Sequence, residues 1–146
     1  GRVVHCMCTI NLLCLDSLPG LLTQLVKWKK QYGRDYINFT LNILRFPSFQ
    51  SPLVLDDQLR ERYKQDLIQW MVDHKGYNYL HEHEINHTQR LIDYLDVVKT
   101  PHREAFDMPK LLNDFKQFYT QYDQRRNKDF RATFPNLTQW YDTIQI

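Results

Sequence analysis

His83, Glu84 and His87 stand in the order His-Glu-x-x-His. On a helix the two imidazoles, four residues apart, share a face and can meet one zinc ion, with the glutamate between them as the general base of a hydrolase. A working site of that kind also needs a third ligand and a group that orients the base. The neighbouring positions, Tyr79, Leu80, Ile85, Leu91 and Ile92, offer neither. The competing reading of His81 to His87 is a polar helix face in solvent, and it is the one adopted here, with His83 and His87 kept as metal candidates.

Cys6, Cys8 and Cys14 are all the cysteines of the chain. Residues i and i+2 of a strand lie on one face about 6.6–7 Å apart, so Cys6 and Cys8 are neighbours. The group C-x-C-x5-C supplies three thiolates where a closed zinc or iron–sulfur site normally takes four, and its spacing is not the C-x2-C of a ligand loop. Buried free thiols in a sheet core are the expectation. An odd number of clustered cysteines does not make a disulfide framework. The third set is Thr9, Asn11, Asn42 and Arg45, polar residues at the carboxyl ends of two strand-like runs, where ligands of parallel α/β folds sit. Asn11, Asn42 and Arg45 are the candidate cofactor-binding residues. No glycine-rich phosphate loop, G-x-S-x-G elbow or Cys–His–Asp arrangement occurs, and the chain has only four glycines.

These residues need elements to hold them. Val3 to Ile10 is short and nearly all apolar, as in a parallel strand covered on both faces. Asp16-Ser17 can cap a helix with Pro19 in its first turn. Leu18, Leu21, Leu22, Leu25, Val26 and Trp28 form its apolar face, Lys27, Lys29 and Lys30 gather near its end, and Gly33 stops it. Tyr36 to Leu44 alternates apolar and polar residues and reads as a second strand. Strand, helix and strand within about 45 residues make a right-handed βαβ crossover with parallel strands. After the prolines at 47 and 52 no strand is convincing, although Gly76 to Leu80 could be extended. Three helices are expected along Leu59–Met71, Ile85–Val98 and Leu111–Tyr122, interrupted at Lys75-Gly76 and Thr100-Pro101, with a short last helix over Thr138–Ile146. The predicted fold is α/β: a parallel βαβ unit over 1–55, a partial barrel-like sheet, and a mainly helical tail over 56–146, within one domain.

At 146 residues a single core is expected. Nineteen basic residues against 17 acidic ones leave a formal charge of +2, too mild to argue for nucleic acid or an anionic membrane. Arg125, Arg126 and Lys128 lie between Asp123 and Asp129 and read as a solvated helix end. No apolar run nears the roughly 18 residues that span a bilayer, and a cytoplasmic protein is expected. The sequons at Asn38, Asn86 and Asn136 are read as chance, since Asn38 falls inside a strand.

The stretch from Leu112 to Leu137, with Asp123-x-x-Arg126 on a helix leading to Phe134-Pro135-Asn136-Leu137, resembles the C-terminal signature of twitch-type (SPASM-like) radical SAM proteins. Cys8-Thr9-Ile10-Asn11, the Leu-Pro helix, Leu41-Asn42-Ile43-Leu44 and Pro47-Ser48-Phe49 are similar to the last part of the barrel in the same family. The resemblance implies a parent enzyme that cleaves S-adenosylmethionine at a [4Fe–4S] cluster held by a C-x3-C-x2-C loop. That loop is absent from this sequence. The chain is therefore expected to be a C-terminal portion with no cofactor of its own, catalytically silent, whose partner is the missing N-terminal part. The competing class is a self-associating interaction module, in which a second copy completes the sheet and aromatic helices cover a partner.

Overall fold

The computed structural model describes residues 3–74, 79–97 and 106–145. The fold is α/β. Strand β1 (Val4–Ile10) is followed by helix α1 (Leu18–Tyr32) and strand β2 (Ile37–Ile43), and the two strands pair in parallel from Val4↔Ile37 to Ile10↔Ile43. Two short 3-10 turns, Ser48–Gln50 and Pro52–Val54, lead into α2 (Asp57–His74) and α3 (Glu82–Val97). The chain then continues through α4 (Met108–Arg126), the single turn α5 (Phe130–Thr133) and α6 (Thr138–Thr143). The expected interruption at Lys75-Gly76, the strand-like residues 76–78, Val98, the stop at Thr100-Pro101 and Ile146 lie outside the described residues. Tyr79 and Leu80 form a turn and a bend.

Helix α1 forms because Leu18, Leu22, Leu25 and Val26 recur at helical spacing and are buried. Ser17 holds the N-cap position without capping; its hydroxyl donates instead to the Cys14 carbonyl at 3.3 Å. Gly33 closes the helix with φ of 113°, a conformation that only glycine adopts without strain. Trp70 on α2 donates its indole N–H to Thr23 on α1 at 2.9 Å, which fixes the pair. One apolar cluster runs from Leu22 and Phe39 through Tyr63 and Leu91 to Phe115 and Tyr141, so the helical tail and the βαβ unit share a core.

The period of two sorts the sheet into faces. Ile10, Ile37, Phe39 and Leu41 face the core and are buried, with Cys6 and Cys8 half-buried beside them. His5, Met7 and Thr9 pair with Asn38, Thr40 and Asn42 on the opposite face. Of these six, His5, Met7, Thr9 and Asn42 are exposed. The expectation that β1 is covered on both faces is thus corrected. Its run looks continuously apolar because Cys6, Met7 and Cys8 stand in sequence, yet Met7 keeps 74% of its surface exposed.

Candidate functional site

The two strands end their sheet in opposite ways. Tyr36 accepts from the Val4 N–H at 2.7 Å and Ile10 accepts from the Leu44 N–H at 2.8 Å. In a parallel ladder these bonds turn the even-numbered residues of β1 toward β2, and the odd-numbered residues of β2 away from β1. The outward groups of β2 meet side chains. Lys29 Nζ donates to the Ile37 carbonyl at 2.6 Å, Glu84 Oε2 accepts from the Phe39 N–H at 3.0 Å, and His87 Nδ1 accepts from the Leu41 N–H at 3.0 Å. Arg90 Nη2 donates to the Leu41 carbonyl at 3.0 Å. Glu84, His87 and Arg90 are three residues apart along α3, so one helix face substitutes for a third strand.

The outward groups of β1 belong to His5, Met7 and Thr9. Among the described residues, the only partner to any of their outward backbone groups is the Cys14 thiol, 3.8 Å from the Thr9 carbonyl. A bare strand edge beside an open face is unusual in a parallel sheet, which is normally covered on both sides. The open face has its own network: the His5 ring contacts the Asn38 side-chain oxygen through Nδ1 and the Thr40 hydroxyl through Nε2 at 3.2 Å. The bare edge and this polar face form the candidate functional surface.

The His-Glu-x-x-His group is part of the sealed edge. Glu84 is fully buried, against the expectation of a solvent-facing helix surface, and forms an ion pair of 2.9 Å with the equally buried Lys29. Its second oxygen accepts from the His81 N–H at 2.7 Å, closing the first turn of α3 from within. A glutamate engaged on three sides cannot serve as a water-activating base. His87 has one nitrogen on the Leu41 N–H, and burial, followed by the nearby Arg90, holds its pKa below the ordinary histidine value. His83 is exposed, its ring 6.2 Å from that of His87. Among the described residues no three His, Cys, Asp or Glu side chains are placed to hold a metal.

The strand-end candidates separate. Asn11 caps the turn after β1, its side-chain oxygen accepting from the Leu13 N–H at 2.9 Å and from the Cys14 thiol at 3.1 Å. Asn42 is exposed on the open face opposite Thr9. Arg45 lies elsewhere, its guanidinium 5.4 Å from the centre of the Tyr94 ring. The three cysteines are free. Burial first, then the neighbouring Cys6 and Cys14 thiols, pushes the Cys8 thiol above its ordinary pKa, the opposite of what a ligand or nucleophile needs.

From the sequence, His5, Thr40 and Arg90 carry no assignment, Lys29 stands only among the lysines at the end of α1, and Asn38 only as a sequon. Lys29 carried a signal: 18, 22, 25 and 29 follow one helical stripe, and a lysine in an apolar stripe implies a buried counter-charge. No helix among the described residues is long and apolar enough to cross a membrane. No family model, curated protein or solved structure matches the chain.

Proposed function

We propose that the chain is the sheet-closing C-terminal portion of a larger α/β protein of the radical SAM type its sequence resembles, catalytically silent by itself. The observation that carries the reading is the asymmetry of the sheet. The β2 edge is finished by Lys29, Glu84, His87 and Arg90, while β1 leaves His5, Met7 and Thr9 able to pair with another strand. The sheet grows in one direction, toward a strand not found among the described residues, and the polar face then lines the interior of the enlarged sheet.

The side chains described here do not fit an iron–sulfur cluster: Cys6 and Cys8 share a strand face, the Cys14 thiol donates to Asn11, and Cys8 is held protonated. Cluster and S-adenosylmethionine binding are accordingly assigned to the cysteine loop of a parent protein, and the role of this chain is to close the sheet.

The test joins coding sequence to exchange kinetics. An upstream C-x3-C-x2-C in the same reading frame, iron with acid-labile sulfide in the longer protein, and slowed amide exchange at His5, Met7 and Thr9 relative to the isolated chain are the expected results. No such upstream loop, together with those amides protected in a self-associated form of this chain, overturns the reading and establishes the interaction module in its place.

A further inference from the structure

The carboxyl ends of the two strands lead to a second feature that does not depend on the bare edge. Gln50, in the 3-10 turn after β2, accepts at its backbone carbonyl from the Leu12 N–H at 3.0 Å and at its side chain from the Tyr119 hydroxyl at 2.9 Å. These bonds tie α4 to the turns that follow β1 and β2. Between them lies a cavity of about 500 Å³, within the roughly 300–1,000 Å³ range of small-molecule sites. It stands where α/β sheets take their ligands.

Its wall is aromatic. The Phe118 ring lies 5.0 Å from Tyr119 at 77° and 6.5 Å from Tyr122 at 17°, so both ring faces and ring edges are available. Phe118 and Tyr122 each keep 44% of their surface exposed, and Phe134 completes the lining from beyond α5. Two opposite charges share the same cavity. Asp123 uses one carboxylate oxygen on the Phe130 N–H at 3.0 Å; among the described residues its other oxygen has no hydrogen-bond partner. Lys128 lines the cavity as well and forms no ion pair with Asp123 or any other described residue. A carboxylate beside ring faces attracts an ammonium group, a nearby lysine attracts a carboxylate, and the rings accept a planar apolar body.

We propose that this cavity binds a small aromatic zwitterion with the chemistry of a free aromatic amino acid: ammonium to Asp123, carboxylate to Lys128, ring against Phe118, Tyr119 and Tyr122. The test is an NMR titration of the whole chain with phenylalanine, phenethylamine and 3-phenylpropionate. Phenylalanine is expected to shift the resonances of Phe118 and Tyr122 with a dissociation constant on the order of 1 mM or tighter. Asp123→Asn, which keeps an oxygen for the Phe130 N–H, should weaken phenylalanine and phenethylamine about tenfold and leave phenylpropionate unchanged; Lys128→Met should weaken phenylalanine and phenylpropionate and leave phenethylamine unchanged. Tyr122→Ala, at an exposed position, should weaken all three. Absence of shifts with phenylalanine, or equal affinity for the three probes in the wild type and both charge variants, overturns the proposal. Either result leaves the assignment of the β1 edge untouched, because that rests on amide exchange at β1.

Discussion

Replacing Glu84 tests the sealed edge most directly. Its carboxylate neutralises Lys29, which is wholly buried, and accepts from the Phe39 and His81 N–H groups. Removing one member of a buried ion pair typically costs about 3–5 kcal/mol, because the remaining charge stays desolvated. A buried N–H left unpaired adds about 1–3 kcal/mol. Lys29 keeps the Ile37 carbonyl at 2.6 Å, which offsets part of the loss, so Glu84→Ala should cost about 4 kcal/mol. That is a large share of the roughly 5–15 kcal/mol that a domain has in total. Glu84→Gln keeps an acceptor for Phe39 but not the charge, and should cost about 3 kcal/mol. Adding Lys29→Met to it removes the stranded ammonium and should recover about 2 kcal/mol. Urea unfolding followed by circular dichroism gives all three values, and amide exchange at Phe39 and Leu41 should quicken in step. A cost below about 1 kcal/mol for Glu84→Gln, or a double variant equal to the sum of its parts, would refute the account of the edge.

Three further outcomes follow from the same structure. His87 accepts the Leu41 N–H only while Nδ1 is unprotonated, and its folded pKa lies below its unfolded value. Its contribution is therefore complete above the ordinary histidine pKa and is lost as pH falls from there toward the lowered folded value; His87→Gln should flatten that part of the stability–pH curve, and an unchanged curve would remove His87 from the edge. Burial pushes the Tyr63 hydroxyl up to about 12, and that hydroxyl has no hydrogen-bond partner among the described residues. Tyr63→Phe should hence stabilise the fold by about 1 kcal/mol in thermal unfolding, whereas a loss of that size would reveal a bond to the hydroxyl. Cys8, with its raised pKa, should be alkylated at neutral pH far more slowly than a free thiol and should accelerate only as pH rises past the ordinary thiol range; fast neutral labelling would contradict its protonated state.

The parallel βαβ unit was legible because its signals are local: alternation over Tyr36–Leu44, a leucine stripe on α1 and a stop at Gly33. The strand and helix bounds of the structure fall within a few residues of those expected. What the sequence could not express is what each face meets. Of His83, Glu84 and His87, the last two serve a strand some 45 residues away while His83 stays exposed, a relation absent from any local pattern. The apolar look of Val3–Ile10 hid an exposed Met7 for the same reason, since burial on the second face needs an element the chain does not provide among its described residues. Asn11 reads from the sequence as a strand-end residue, and the bonds its side-chain oxygen makes to the turn it caps are not visible at that level.

A sheet finished on one side only has a combining capacity of one. Were two molecules of this chain to pair through β1, both bare edges would be consumed and the β2 edges, blocked by Glu84 and His87, could accept no third strand. Stacking edge to edge into fibres requires two open edges on each unit. The helix face that seals β2 therefore protects the protein against open-ended aggregation as well as completing its hydrogen bonds, and it does so through His87 and Arg90 as well as Glu84, with Lys29 joining them from α1.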